Sequence, residues 1–121
     1  MNEHGKINYV EFPSSNLDAT KFFFSEAFGW SFQDFGPDYT SFVPDAAGLG
    51  GGFFKSELRA SMANGSALIV IYSSNLEETL SKVVDAGGSI VKEIFSFPGG
   101  RRFHFTEPRG NEFAVLSDKG V

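Results

Sequence analysis

Apolar and polar residues form short blocks along the chain, and each block suits one kind of element. The apolar runs 7–12 and 67–72 are rich in β-branched and aromatic residues and are short enough to be strands. After each run, apolar residues recur at helical spacing; they are Leu17, Phe24 and Phe28 in the first segment and Leu76, Leu80, Val83 and Val84 in the second. The pattern therefore predicts a strand followed by a helix, twice.

Three more strands are predicted after each helix, because turn residues divide the remaining apolar stretches. The predicted strands are 30–35, 39–43 and 51–55 in the first half, and 89–95, 102–106 and 112–116 in the second. We expect the helices to begin with serine caps, at Ser15 and Ser74, and to end at Gly29 and at Gly87 and Gly88.

An internal repeat relates the two halves. The tetrapeptide Ser-Ser-Asn-Leu at 14–17 recurs at 73–76, an offset of 73 − 14 = 59, and the same offset relates Gly51 to Gly110 and Phe54 to Phe113. We therefore predict one domain, 1–121, made of two βαβββ modules. Module 1 covers about 5–55, a linker about 56–66, and module 2 about 67–119.

Composition excludes several classes of partner. A net charge of -5 argues against nucleic acid, which requires basic patches that neutralise phosphates. No apolar run approaches the roughly 20 residues that span a bilayer, so no membrane partner is expected. The chain has no cysteine, which fits a cytoplasmic location. Its 15 phenylalanines predict an aromatic core.

Four short motifs carry a resemblance to a known family. They are Glu11-Phe12-Pro13 at the end of the first strand, Ala27-Phe28-Gly29-Trp30 and Ala86-Gly87-Gly88 at the helix ends, and the late turn Glu107-Pro108-Arg109-Gly110-Asn111. Together with the repeat, they resemble the vicinal oxygen chelate superfamily of glyoxalases, bleomycin resistance proteins and dioxygenases. The resemblance implies an α+β fold in which two tandem βαβββ modules form a curved mixed sheet with a concave cavity.

The resemblance also implies a divalent metal in the cavity, with ligands at Tyr9, Lys55, Leu68 and Ala114. The offset of 59 pairs Tyr9 with Leu68 and Lys55 with Ala114. Leucine and alanine offer no lone pair, and lysine brings a repelling positive charge. We therefore predict no metal at these positions and no cofactor, while a metal held by other ligands stays open.

Strand alternation predicts what lines the cavity instead. If Tyr9 faces the cavity, Glu11 does so too, and if Ala114 faces it, so does Glu112. Phe103 and Phe105 suit the helix side. The predicted ligand-binding residues are Tyr9, Lys55, Arg102, Glu112, Leu68 and Ala114, and the candidate catalytic residues are Glu11 and His104.

The six polar candidates each have a structural alternative. Tyr9 is either a ligand contact or a half-buried strand aromatic, and Glu112 is either an acid–base group or a surface carboxylate. Glu11 is either a general base or a carboxylate paired with Lys55 or Arg102. His104 is either an acid–base group or a hydrogen-bonded sheet histidine. Lys55 either holds an anion where the metal would be or is a solvated strand-end lysine. Arg102 either clamps a carboxylate or phosphate or lies in a solvated loop.

The leading functional hypothesis is a protein that binds a small organic molecule, an anion among the candidates, in an aromatic cavity without metal. The alternatives are a metal-independent enzyme that uses Glu11 or His104, a metal-dependent lyase or dioxygenase with other ligands, and a structural partner domain. The resemblance and the exposed sheet edges also predict a homodimer.

Overall fold

The elements follow the order that the duplicated unit predicts. The computed structural model describes residues 2–120. The first half contains β1 (Tyr9–Ser14), α1 (Leu17–Phe28), β2 (Phe32–Asp34), β3 (Tyr39–Phe42), α2 (Pro44–Ala47) and β4 (Gly50–Lys55). A 3-10 turn at Met62–Asn64 interrupts the linker. The second half contains β5 (Ile69–Tyr72), α3 (Leu76–Asp85), β6 (Ser89–Phe97), β7 (Gly100–Thr106) and β8 (Glu112–Ser117).

The strands form two four-stranded mixed sheets, ordered β1-β4-β3-β2 and β5-β8-β7-β6. In each sheet the first strand is parallel to the last, and the other pairs are antiparallel. The predicted α+β fold is therefore confirmed. No hydrogen-bonded ladder joins the two sheets within residues 2–120, so they meet through side chains instead of forming one continuous ladder. Over the same range, no helix has the length and apolar character needed to cross a membrane.

The repeat offset changes along the chain. In the first sheet Val10 lies opposite Gly51, and in the second Ile69 lies opposite Phe113. The first strands are thus related by 69 − 10 = 59, but the last strands by 113 − 51 = 62. The predicted pairing of Lys55 with Ala114 is therefore wrong. Its cause is the longer hairpin of the second half, in which β6 has 9 residues and β7 has 7, against 3 and 4 for β2 and β3.

The helix caps also differ from the expectation. Asn16 and Asn75 are the N-caps, and their side chains accept hydrogen bonds from the backbone N–H of Ala19 and Glu78. The predicted serine caps were one residue too early, because asparagine serves equally well as an N-cap. Gly29 ends α1 in the left-handed conformation, as expected.

The aromatic core is centred on α1, which packs against both sheets. The ring of Phe24 is fully buried and lies 5.6 Å from Phe53 of the first sheet and 5.1 Å from Phe113 of the second, measured between ring centroids. It also stacks on Trp30 at 4.5 Å. One side chain therefore connects the hydrophobic faces of both modules.

The late turn of module 2 interlocks with module 1. The buried carboxylate of Glu107 accepts hydrogen bonds from Thr20 Oγ1 at 2.8 Å and from the backbone N–H groups of Arg109 and Asn111. Asn111 Nδ2 donates to the carbonyl of Pro13 at 2.6 Å. The motif that carried the family resemblance therefore fixes the end of β1 and the start of α1.

Candidate functional site

Each sheet has one face toward the helices and an outer face that points away from them. On β1, Phe12 belongs to the core and Val10 packs against it, whereas Tyr9 and Glu11 are exposed on the outer face. On β5, Ile69 and Ile71 face the core in the same way. The alternation of the strands thus follows the burial pattern of the sequence.

A cleft of about 670 Å³ lies where the two modules and the linker meet, and we call it the junction cleft. Module 1 contributes the stretch 10–13 and Phe54, and module 2 contributes Ala67 and Ile69. The linker closes one side with Leu58, Arg59, Ala60, Asn64 and Ser66. The cleft therefore has largely apolar walls with two charged side chains, Glu11 and Arg59.

Glu11 belongs to a hydrogen-bonded chain on the outer face of the first sheet. Tyr39 donates its hydroxyl hydrogen to Glu11 Oε2 at 2.8 Å, and the hydroxyl oxygens of Tyr9 and Tyr39 are 2.6 Å apart. Burial, followed by the hydrogen bonds to Tyr9 and Glu11, raises the pKa of Tyr39 well above its ordinary value of 10.0. Tyr39 therefore keeps its proton and remains a donor. We refer to these three residues as the Tyr9–Tyr39–Glu11 chain.

Gly52 makes room for this chain. It lies opposite Glu11 in the ladder, and a Cβ at this position would overlap the hydroxyl of Tyr39. The glycine run 50–52, which matches no nucleotide-binding motif, therefore has a steric role. A large side chain on β3 can cross the sheet only where β4 has no side chain of its own.

Lys55 does not reach this outer face. Its ladder partner is Ser14, five positions after Tyr9, so the two lie on opposite faces of the sheet. Ser14 Oγ is bonded to Thr20 of α1, which shows that this end of the ladder faces the helix. The expectation that Lys55 shares a cavity with Tyr9 and Glu11 is therefore wrong. The expectation came from the family resemblance, and the offset of 59 that supported it does not hold for the last strands.

His104 and Glu112 form a second group, on the outer face of the second sheet. His104 is fully buried, and its Nδ1 lies 3.1 Å from Glu112 Oε2. Glu112 Oε1 accepts the backbone N–H of Met62, and Ala60 of the linker accepts the backbone N–H of Glu112. The linker therefore covers this pair. A ligand in the junction cleft has no contact with His104, which favours the sheet-histidine interpretation over the acid–base one.

Arg102 lies next to this second group. Its guanidinium carbon is 5.6 Å from the ring centroid of Phe95 and 5.4 Å from that of Phe97, both on the neighbouring strand β6. The side chain is half-buried by these rings instead of lying in a solvated loop. Within residues 2–120, no hydrogen bond or ion pair connects it to Glu11, so the predicted constellation separates into two groups.

The four positions that the resemblance assigned to a metal do not fit a divalent cation. Tyr9 is engaged with Tyr39, and Lys55 lies on the other face of its sheet. Leu68 has no donor atom, and Ala114 is fully buried opposite Val70 and His104. In the part of the chain that the structure describes, no three His, Asp or Glu side chains gather into a group that could hold a metal ion.

Sequence reasoning missed most residues of this site, Tyr39 and the linker residues among them. Tyr39 was placed on a strand, but its role depends on which face it takes opposite Phe54. The glycine run beside it was the available signal. Leu58 and Arg59 lie in the linker, where no periodicity indicates direction, so no sequence signal placed them in the cleft.

One comparison with known proteins identifies a family, and another finds solved structures with a similar fold. The family model described as Glyoxalase/Bleomycin resistance protein/Dioxygenase superfamily matches residues 6–115. No curated protein matches the chain. Among solved structures, a glyoxalase-related enzyme from Fulvimarina pelagi has a TM-score of 0.76 at 14% identity, covering 93% of this chain and 88% of that one.

Two further solved structures are similar over nearly their whole length. FosX from Listeria monocytogenes, a fosfomycin resistance protein, has a TM-score of 0.76 at 14% identity and covers 98% of this chain and 96% of its own. TnmS3 from Streptomyces sp. CB03234, an antibiotic binding protein, has a TM-score of 0.71 at 15% identity, with 97% and 98% covered. At such identities the likeness concerns the fold.

Proposed function

Because the chain belongs to the glyoxalase/bleomycin resistance protein/dioxygenase superfamily, we propose that it binds a small aromatic molecule in the junction cleft without a metal. The observation that carries this proposal is the cleft itself. Its volume of about 670 Å³ lies in the range of small-molecule sites, and apolar side chains from both modules line it beside a few polar groups. The antibiotic-binding neighbour TnmS3, which shares the fold, supports binding as the type of function.

The proposal is tested by screening aromatic small molecules, antibiotics among them, against the purified protein by NMR. We expect a subset to shift resonances of the cleft residues, with or without a chelator present. Leu58→Asn places an uncharged polar group in the apolar wall and should weaken binding at least about threefold. Leu58 is 70% exposed, so the change should leave the fold intact.

The matched control is Val84→Asn on α3, which introduces the same polar group at a position 48% exposed and outside the cleft. It should bind the same compounds as the unmodified protein. Loss of binding on chelation, together with stoichiometric zinc, iron or manganese in the purified protein, would contradict metal independence. Turnover of a bound compound that is lost in Glu11→Gln would favour an enzyme instead.

We also propose a homodimer that covers the outer face of the second sheet. On β5, Val70 and Tyr72 point away from the core and are 37% and 55% exposed. Val70→Asp should raise the dissociation constant of the dimer at least about tenfold, because it buries a charge in an apolar contact. Sedimentation velocity measures this, with Val84→Asp as the control. An unmodified chain that stays monomeric at high concentration would contradict the dimer.

We further propose a cytoplasmic location. Its support is the absence of cysteine from the sequence.

A further inference from the structure

We propose that the ligand of the junction cleft is a cation, an aromatic amine that is protonated at neutral pH, and that Glu11 receives its ammonium group. This inference rests on the proposed function and narrows it to one class of compound. It replaces the anion that Lys55 suggested, since Lys55 lies on the opposite face of the sheet.

The direction of the hydrogen bonds in the Tyr9–Tyr39–Glu11 chain is the first argument. A carboxylate only accepts, so the single hydroxyl hydrogen of Tyr39 is used on Glu11 Oε2. The bond between the two tyrosines must then be donated by Tyr9 to the oxygen of Tyr39. Both tyrosine hydroxyl hydrogens are therefore donated within the Tyr9–Tyr39–Glu11 chain. Of the three residues only Glu11 lines the junction cleft, and it offers a ligand lone pairs only, so the ligand must supply the donor.

The charge of Glu11 is the second argument. In the part of the chain that the structure describes, no Lys, Arg or His nitrogen lies within ion-pair distance of Glu11. Arg59 lines the same cleft, with its Cδ, Nε and Cγ atoms over Gly110, and among the described residues it forms no ion pair with Glu11. Glu11 therefore brings a negative charge without an ion-pair partner to a largely apolar cleft. A cation that donates to this carboxylate makes the stronger, charge-assisted kind of hydrogen bond.

The neighbouring ring is the third argument. Phe54 lines the junction cleft and is the ladder partner of Tyr39. An ammonium group at Glu11 would therefore share the cleft with an aromatic ring, and the face of such a ring attracts cations through its quadrupole. The ring of the ligand can then pack on the apolar wall formed by Leu58 and Ile69. The ammonium group of such a molecule would contact Glu11, and its ring would contact the apolar wall.

The test uses three probes of one shape, which are 1-naphthylmethylammonium, 1-naphthylmethanol and 1-naphthoate. Their dissociation constants are measured by NMR titration at pH 7 and low ionic strength. The ammonium should bind about five- to tenfold more tightly than the alcohol, a modest factor because Glu11 is partly solvated. The carboxylate should bind most weakly. Added salt should reduce the preference.

Glu11→Gln keeps the acceptor for Tyr39 and removes only the charge, so it should bring the ammonium to the affinity of the alcohol and leave the alcohol unchanged. Glu57→Gln is the matched control, since it removes the same charge from an exposed linker residue that does not line the cleft. It should keep the preference for the ammonium.

The possible failures are distinguishable. If the alcohol and the carboxylate bind the unmodified protein as tightly as the ammonium, the cation class is overturned while small-molecule binding in the cleft stands. If the preference survives in Glu11→Gln, Glu11 is not the receiving group. If none of the three probes binds, both this inference and the proposed function fail.

Discussion

Replacing Phe24 by alanine is expected to lower the free energy of unfolding by about 3 to 5 kcal/mol, the usual cost of removing a buried phenylalanine ring. The ring is fully buried and contacts aromatic side chains of both sheets, so the cavity would lie at the junction of the modules. Neighbouring rings are large and flat and can fill it only partly. We expect a melting temperature lower by more than about 10 °C.

Urea denaturation of Phe24→Ala and Phe22→Ala measures the effect. Phe22 is on the same helix but is 62% exposed, so its removal should change the free energy of unfolding by less than about 0.5 kcal/mol. Both variants share the same change in helix propensity. A loss of less than about 1 kcal/mol for Phe24→Ala would show that this ring does not connect the two modules.

The second large effect is expected at Glu107. Alanine at this position would leave the backbone N–H groups of Arg109 and Asn111 without their acceptor and would force the hydroxyl of Thr20 to turn to Ser14. The expected cost is about 2 to 4 kcal/mol in chemical denaturation, because unsatisfied buried donors lose their full hydration. Glu57→Ala is the control: Glu57 is exposed, so its replacement should change the free energy of unfolding by close to zero.

Glu107→Gln separates charge from hydrogen bonding. Its amide oxygen can accept the two backbone N–H groups while its NH₂ donates to Thr20, whose own hydrogen turns to Ser14. We expect a cost below about 1 kcal/mol at pH 7. If glutamine proves as harmful as alanine, the negative charge itself is required.

The difference in stability between the wild type and Glu107→Gln should depend on pH, because the pKa of Glu107 is shifted in the folded protein. Burial raises that pKa above the ordinary value of 4.5. As the pH falls through the raised value, the folded wild type takes up a proton before the unfolded chain does, so it gains stability relative to Glu107→Gln. The gain levels off below about pH 4.5. Denaturation midpoints of both proteins between pH 7 and pH 4 measure the difference.

Much of the fold was predictable because short-range patterns determine it. Alternation along β1 separates Phe12 from Glu11 in the sequence as it does in the structure. The repeated Ser-Ser-Asn-Leu segment places Thr20 and Thr79 alike, each bonded to a serine at the end of the preceding strand. Such features depend on residues a few positions apart, which the sequence displays directly.

The site was less predictable because it depends on register and on the linker. Between its first and last strands the second half is three residues longer than the first, 113 − 69 = 44 against 51 − 10 = 41, so the repeat offset does not hold for the last strands and gave false support to Lys55 on the outer face. Tyr39 reaches Glu11 only because Gly52 lies between them. The linker residues that close the cleft show no helical or strand periodicity, so the sequence does not indicate which way their side chains point.

The interlock formed by Glu107 makes the two halves unequal despite their common pattern. Thr20 in the first half donates a hydrogen bond to the carboxylate of Glu107, which lies near the end of the chain. Among residues 2–120, the matching Thr79 is hydrogen-bonded to Ser73 and to no carboxylate. A ribosome completes the first half long before Glu107 has been synthesised. The hydrogen bond between Thr20 and Glu107 can therefore form only after the last hairpin has been synthesised. The half that is synthesised first is thus the last to complete its hydrogen bonds.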